Sequence, residues 1–455
     1  MFREYDLRGM ESEEELNPYS LELIGRGYGT FLLRRGIKEL VLGRDNRGSS
    51  ESFSGAALKG LLETGCDVVD IGVVTVPMLY WSQYYFERKG GMMVTASHNP
   101  LGWNGVKLAM GYSYTIIGKE LEEIYDIITT EQFLSGGKGS VKEVNVTKAY
   151  VTDLVKRVAI RKKMRVLVNT GNGTAGFIVP KVLRQAGCEV IERYTESDPT
   201  FPHYTPNPAQ IEMMEDTSTQ TKNNHADLGF AFDADGDRLG LVDEKGQNIW
   251  PDRYLILLSR LVLEKQPGSK IVFDVKCSQA LEEDIRAHGG VPIMWKTGHS
   301  YIKEKMRDEE APLAGEMSGH IFIAQGYYGF DDALFASLKL LEYFSHQESS
   351  VSELIKSTPY YISSPALNAP CPDEKKYEVV EKLTKEFKEK YEVIDINGAR
   401  VLFGDGWGLV RASSNIPALV LRFEAKTEKR LNEIEMIFRE KLRAFPFVGV
   451  EWRAA

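Results

Sequence analysis

Ser97, His98, Asn99 and Pro100 follow an apolar run in MMVTASHNPLGWNGVK, which places polar side chains in a Ser-, Asn- and Gly-rich turn at a strand's end. Ser97 has His98 beside it as a hydrogen-bond partner and Lys107 ten residues on as a proton acceptor, so its hydroxyl is a candidate nucleophile or phosphoryl carrier. A turn held by Ser and Asn side chains would use the same residues. In LGFAFDADGDRLGLVDEKG a second apolar run ends on Asp233, Asp235 and Asp237, three carboxylates that repel one another unless a cation neutralises them. Oxygen ligands converging on one centre suit a hard divalent ion, Mg²⁺ or Ca²⁺. An EF-hand loop would explain Glu244 at its twelfth position, but its sixth position holds Arg238 instead of glycine, and LGLVDEKG reads as strand and turn. A solvated acidic turn is the remaining alternative.

Two further segments carry groups that bind sugars and anions. KTGHSYIK contains Lys296, His299 and Lys303, and LAGEMSGHIF sets Glu316, Ser318 and His320 among glycines, where Glu and Ser can bond a pair of sugar hydroxyls. Either histidine could equally be a core or capping residue. GLVRASSNIPALVLRFEA puts Arg411, Ser413, Ser414 and Asn415 in a turn before a strand containing Arg422. Arginine with hydroxyls and turn amides is what a phosphate dianion needs, although a charged turn with a capping serine has the same composition.

The elements that must position these residues repeat. Three segments read as an apolar run, a polar turn starting at Asp or Asn, an amphipathic helix, a glycine and a second apolar run: from LVLGRDNRGSS to VVDIGVV, from VLVNTGNGTAG to EVIERY, and from IVFDVKCSQA to VPIMW. Continuous apolar strands alternating with helices predict a triplicated β-α-β unit in mixed α/β sheets. The C-terminal stretch differs, with helices in KKYEVVEKLTKEFKEKY and EKRLNEIEMIFREKLRAF and strands near VIDINGARVLF and ALVLRFEA, and reads as a separate α+β domain. STPYYISSPALNAPCPDE, polar and Pro-containing, is the candidate hinge before it. Domains are therefore expected at 1–142, 143–247, 248–358 and 359–455.

With 455 residues, 41 Gly, 18 Pro and 43 % hydrophobic residues, the chain has the composition of a multidomain globular protein. Its 56 Lys+Arg against 65 Asp+Glu leave a net charge of -9, which argues against non-specific binding to nucleic acid or an anionic membrane. The best candidate for an apolar span, Tyr254 to Leu263, is interrupted by Ser259 and Arg260, so no membrane span is expected. MFREYDLRGMESEEEL has no apolar signal-peptide core, and Cys66, Cys188, Cys277 and Cys371 are scattered, so a cytoplasmic protein with reduced cysteines is expected.

Taken together and in this order, TASHNP, DADGDR, GEMSGH and RASSNIP resemble the phosphoserine, metal, sugar and phosphate loops of the α-D-phosphohexomutase superfamily, in its bacterial phosphomannomutase/phosphoglucomutase branch. FREYDLRG, GRDNRGSS, GNGTAG, FPHYTPNP, DVKC and KTGHS extend the resemblance over essentially the whole chain. It implies four domains around a central cleft, three related mixed α/β domains and a C-terminal α+β domain. It further implies a phosphorylated Ser97, Mg²⁺ held by Asp233, Asp235, Asp237 and a phosphoserine oxygen, and Lys107 as general base or acid with His98 nearby. Tyr5, Arg8, Arg238, Lys276 and His299 match phosphate-contacting residues, and Glu316 and Ser318 match those that grip the sugar's 3- and 4-hydroxyls. The phosphate loop departs from the usual Ser-Asn-Thr or Ser-Gly-Thr, reading Ser413, Ser414, Asn415, where Asn415 can still donate through its amide.

The implied reaction converts hexose 1-phosphates of mannose and glucose reversibly into 6-phosphates through a hexose 1,6-bisphosphate, which serves as intermediate and activator. Small sugar phosphates are then the partners, and the enzyme is expected as monomer or dimer. Phosphoglucosamine mutases are the alternative, although their sugar loop usually reads Gln where Met317 stands. A Mg²⁺-dependent sugar phosphohydrolase would share the aspartates but release inorganic phosphate. A sugar-phosphate sensor could lose Ser97 or an aspartate, and none is lost here.

Overall fold

Three times a buried strand leads through a turn into a helix and then into a second, parallel strand: Glu39–Arg44, Ser50–Thr64 and Asp67–Val73; Arg165–Asn169, Val179–Gln185 and Glu189–Arg193; Lys270–Asp274, Gln279–Ala287 and Val291–Trp295. The glycines read from the sequence follow these helices because the chain must reverse there; Gly65 and Gly187 both take φ +98°, a conformation that strains any side-chain-bearing residue. The computed structural model describes residues 6–414 and 416–454, and the chain divides into two compact units, Met1–Trp250 with Ser318–Ser352, and Pro251–Met317 with Glu353–Ala455.

The first unit holds two mixed sheets. In one the order is Leu7–Met10, Trp103–Met110, Gly90–Val94, Glu39–Arg44, Asp67–Val73, Val141–Glu143, with the Gly90–Val94 strand parallel to Glu39–Arg44 and antiparallel to Trp103–Met110. Its core packs Tyr28, Phe31 and Leu32 of helix Pro18–Arg34 with Leu40, Leu42, Met92 and Val94. In the other the order is Asn248–Ile249, Leu239–Asp243, Leu228–Phe232, Arg165–Asn169, Glu189–Arg193. Strands Gly90–Val94 and Leu228–Phe232 are buried at every residue, which explains their unbroken apolar sequence and delivers both polar loops at strand ends.

The second unit contains the third repeat, where Lys270–Asp274 lies between Val291–Trp295 and Leu313–Gly315, all parallel. It also contains an antiparallel sheet around Gly406–Ala412 and Ala418–Ala425, backed by helices Asp373–Lys388 and Glu428–Leu442. The proposed hinge stretch is not simply a connector. Ile362–Ser363 and Leu367–Pro370 both pair with Ala418–Ala425, and Ala369 and Cys371 are buried in that sheet's core. Alternating apolar residues, Leu367, Ala369 and Cys371, outweigh the Pro and Ser content there. All four cysteines are buried and free. Among the described residues no helix is long and apolar enough to cross a membrane.

One buried carboxylate gives the first unit a pH dependence. Asp332 caps helix Ala333–Ser345 by accepting from Phe335 N–H at 2.8 Å, and its Oδ2 accepts from the hydroxyls of Tyr150 and Tyr327, each at 2.8 Å. Burial outweighs these donors and pushes the Asp332 carboxyl up from 3.8 to about 6. A carboxyl raised on folding contributes stability that is fully present below its unfolded value and is lost as pH rises from there through about 6, a span worth ~3 kcal/mol. Asp332→Asn keeps a cap and an acceptor without the buried charge. Its melting temperature relative to the parent is expected to rise between pH 4 and 7.5; parallel melting curves at the two pH values would contradict this origin.

Candidate active site

The turn after Gly90–Val94 carries Ser97 at φ +49°, a left-handed conformation that costs a non-glycine residue roughly 1 to 2 kcal/mol. Arg47, buried and paired with Asp45 at 3.4 Å, holds the turn in place. Its Nη2 donates to the carbonyls of Ser97 at 2.8 Å and Asn99 at 2.6 Å, and its Nη1 to those of Pro100 at 3.0 Å and Trp103 at 3.2 Å. Ser97 N–H donates to Thr95 Oγ1 at 2.9 Å, and that hydroxyl donates to Asp235 Oδ2 at 3.0 Å, tying the serine turn to the aspartate turn.

The aspartate turn joins Leu228–Phe232 to its antiparallel neighbour Leu239–Asp243. Asp233, Asp235 and Asp237 are fully buried, with one carboxylate oxygen from each within 4.8 Å of the others. Ser97 Oγ donates to Asp233 Oδ2 at 3.0 Å. His98 Nδ1 lies 3.1 Å from the same Oγ, and with the hydroxyl proton committed to Asp233 the imidazole is the donor. Burial, with the Arg238 and Arg8 charges, holds His98 well below its ordinary range, so the ring is neutral. Lys107, projecting from Trp103–Met110, donates from Nζ to Asp235 Oδ2 at 3.0 Å and Asp237 Oδ2 at 2.5 Å. Burial disfavours its ammonium, but Asp235 and Asp237 outweigh that and raise Lys107 well above the usual lysine range. In this arrangement it is an acid.

Charge is unbalanced around this turn. Burial and the neighbouring Asp237 and Asp235 push Asp233 well up, whereas Asp237, despite its burial, is held low chiefly by the Lys107 ammonium. Asp235 Oδ1 and Asp237 Oδ1 are buried without a hydrogen-bond partner. Three carboxylates with two such oxygens fit a hard divalent cation. Arg8 adds a cation beside the serine turn, donating to Asn99 Oδ1 at 2.7 Å and to Asp6 at 2.8 Å. Arg238 Nε stands 4.0 Å from Asp233 Oδ2 and donates to His320 Nε2 at 3.0 Å.

The second unit gathers another set. Asp274, at the end of Lys270–Asp274, accepts from Met317 N–H at 3.0 Å and from Thr297 Oγ1 at 2.8 Å, and pairs with Lys276 at 3.5 Å. Glu316, buried, accepts from Gly298 N–H at 2.6 Å, next to buried His299 at the start of helix His299–Asp308. Burial first, and Asp274 second, raise the Glu316 carboxyl. Ser413 and Ser414 sit on the turn between Gly406–Ala412 and Ala418–Ala425, whereas Arg411, expected in that turn, lies in the first of these strands opposite Val420 because the sheet pairing runs on through Ala412. Buried Lys376 donates to the Ser413 carbonyl at 2.5 Å and to Asp373 at 2.7 Å. Glu316 and half-buried Ser318, two residues apart, fall in different compact units. Tyr5 and Asn415 lie outside the described residues.

Several residues that shape these sites do not stand out as chemistry in the sequence. Arg47 lies in GRDNRGSS but acts on carbonyls 50 to 56 residues away. Asp274 meets Met317 and Thr297, and Lys376 meets the Ser413 carbonyl, only through folding. The single local signal was the Asp of DVKC at a strand's end.

Family models for phosphoglucomutase/phosphomannomutase match the chain in order: alpha/beta/alpha domain I over residues 1–135, domain II over 148–246, domain III over 250–361 and the C-terminal domain over 367–441. The phosphomannomutase/phosphoglucomutase of Pseudomonas syringae pv. tomato is 39 % identical, covering 97 % of this chain and 95 % of that protein. The phosphoglucomutase of Neisseria gonorrhoeae is 38 % identical over 98 % and 97 %. A crystal structure of a phosphoglucomutase/phosphomannomutase family protein from Burkholderia thailandensis superposes with a TM-score of 0.92 at 37 % identity, covering 97 % and 96 %. Four matched domains in order, with relatives alike along nearly their whole length, establish that this chain belongs to the phosphoglucomutase/phosphomannomutase family, isomerases that interconvert hexose phosphates.

Proposed function

We propose that the chain interconverts the 1- and 6-phosphates of glucose and mannose by way of phospho-Ser97 and a hexose 1,6-bisphosphate. The observation that carries this reading is the Ser97 hydroxyl, held on a left-handed turn and bonded to Asp233 in a buried group of three carboxylates. Asp233, Asp235 and Asp237 would hold Mg²⁺ together with a phosphoserine oxygen. The ion would supply charge neutralisation on the transferring phosphoryl group. Lys107, an ammonium between Asp235 and Asp237, is assigned as general acid at the reacting hydroxyl, and as general base only in the reverse sense once it has given up that proton, with neutral His98 beside Ser97.

Phospho-Ser97 gives its phosphoryl group to the free end of the sugar, and the bisphosphate turns around. The other phosphoryl group then returns to Ser97. Tyr5, Arg8, Arg238, Lys276 and His299 are assigned to the phosphates, as are Arg411, Ser413, Ser414 and Asn415. Glu316 and Ser318 are assigned to the 3- and 4-hydroxyls, which exchange of the two ends leaves unchanged. The domains are proposed at 1–142, 143–247, 248–358 and 359–455, in a cytoplasmic monomer or dimer.

Glucose and mannose differ at the 2-hydroxyl, which neither Glu316 nor Ser318 reads, so both should be substrates. Glu316→Gln keeps an acceptor for Gly298 N–H but removes the charge. Loss of a charge-assisted bond of about 1.5 to 3 kcal/mol predicts a fall in kcat/KM of roughly 10- to 150-fold for both sugars alike. The experiment is a coupled assay on glucose, mannose and glucosamine 1-phosphates with added hexose 1,6-bisphosphate, on parent and variant. Glucosamine phosphate as the best substrate, or one hexose spared by Glu316→Gln, would replace this reading with the aminosugar one.

A further inference from the structure

Asp331 and Asp332 are adjacent, buried and differently employed. Asp332 caps a helix, as described above. Asp331 Oδ2 lies 3.1 Å from His320 Nδ1, and Asp237 Oδ1 lies 3.7 Å from the same nitrogen. On its other side the His320 ring accepts at Nε2 from Arg238 Nε at 3.0 Å. An imidazole that accepts at Nε2 carries its proton on Nδ1, the nitrogen facing Asp331. Asp331, His320 and Arg238 therefore form a directed chain that ends beside Asp233, the acceptor of the Ser97 hydroxyl.

The backbone sets the same register. Arg238 and His320 form an isolated antiparallel bridge, and Leu239 N–H donates to the Gly319 carbonyl at 3.1 Å. Gly319 takes φ +98°, and a Cβ there would stand 2.9 Å from the Leu239 carbonyl oxygen, so glycine alone lets the two segments meet. Asp331 is itself bridged to Phe322, which closes the turn that returns the carboxylate to His320. His320 is 3 % exposed and Asp331 fully buried, so water competes little for these close approaches.

We infer that Asp331 is a positioning residue: by fixing the His320 tautomer it orients the Arg238 guanidinium beside the phosphoryl-carrying serine. The inference rests on the phosphoryl transfer proposed for Ser97. Arginine presents its donors in a rigid fork, so committing Nε to His320 fixes the plane in which its two terminal amino groups meet an anion. Without Asp331 the imidazole can take the other tautomer, with its proton on Nε2. It then confronts Arg238 with a donor, and the fork turns away.

The test is a double-mutant cycle on the full chain, with kcat and KM for glucose 1-phosphate measured at saturating glucose 1,6-bisphosphate. Asp331→Ala should lower kcat roughly 10- to 100-fold with KM changed less than about threefold, the scale of lost orienting partners. Asp331→Asn, whose amide oxygen still accepts from Nδ1–H, should recover most of that loss. Arg238→Lys has no fork to orient, so adding Asp331→Ala to it should cost less than about threefold more. Additive losses, or an Asn variant as impaired as the Ala variant, would overturn the inference. Should the Ala variant not fold, Asp331→Ser replaces it in the same cycle. A parent that leaves glucose 1-phosphate unchanged would defeat the proposed function instead; an active parent with unimpaired Asp331→Ala would defeat this inference alone.

Discussion

Ser97→Ala is expected to reduce turnover by roughly 10⁴-fold or more, the scale of losing the group that bonds covalently to the transferred fragment. The hydroxyl does not fill a core. It bonds Asp233 Oδ2 and meets His98, while the turn itself is held by Arg47 on the carbonyls of Ser97, Asn99, Pro100 and Trp103. Those anchors survive the substitution, so the melting temperature should stay within a few degrees of the parent. Intact-protein mass spectrometry should show one phosphoryl group on the parent after incubation with hexose 1,6-bisphosphate, and none on the variant. An alanine variant with parental kcat, together with a parent that never carries phosphate, would refute phosphoserine chemistry at this position.

Metal removal should have the next largest effect. Asp235 accepts from Thr95 and Lys107 through Oδ2, while its buried Oδ1 has no hydrogen-bond partner. Asn at this position replaces an anionic ligand by a neutral amide and leaves Lys107 with one carboxylate in place of two. Asp235→Asn should therefore lower kcat/KM at least about 100-fold and raise the Mg²⁺ concentration needed for half-maximal rate. The parent treated with EDTA should lose activity and regain it on adding Mg²⁺. Turnover at the original rate after exhaustive chelation would show that the three aspartates balance their charge without a divalent ion.

The sequence made some of this architecture readable and concealed the rest for physical reasons. Strands buried on both faces must be apolar throughout, so LGFAF and GGMMV announced themselves, and the polar residues just beyond them stood out as loops at strand ends. The three β-α-β repeats were readable from the same contrast, with Gly65 and Gly187 marking the reversals. Leu367–Pro370 was obscured because prolines and serines flank a strand whose alternation is short. The family follows from its loops in order, and the matched domain models bear that reading out. What could not be read were partners made by folding alone. Arg47 resembles any loop arginine until four carbonyls from the serine turn surround it, and Asp331 resembles its neighbour Asp332 until one is seen to face His320 and the other a helix N-terminus.

Transfer of a labelled phosphoryl group tests the central claim most directly. Enzyme carrying ³²P on Ser97 is mixed with unlabelled glucose 1-phosphate, and the label is followed by rapid quench over the first turnovers. Phosphoserine chemistry predicts that label leaves the protein into hexose 1,6-bisphosphate and then hexose 6-phosphate, with inorganic phosphate unlabelled and Ser97 rephosphorylated from the sugar. Label that stays on the protein while glucose 6-phosphate accumulates, or that appears as inorganic phosphate, would contradict it.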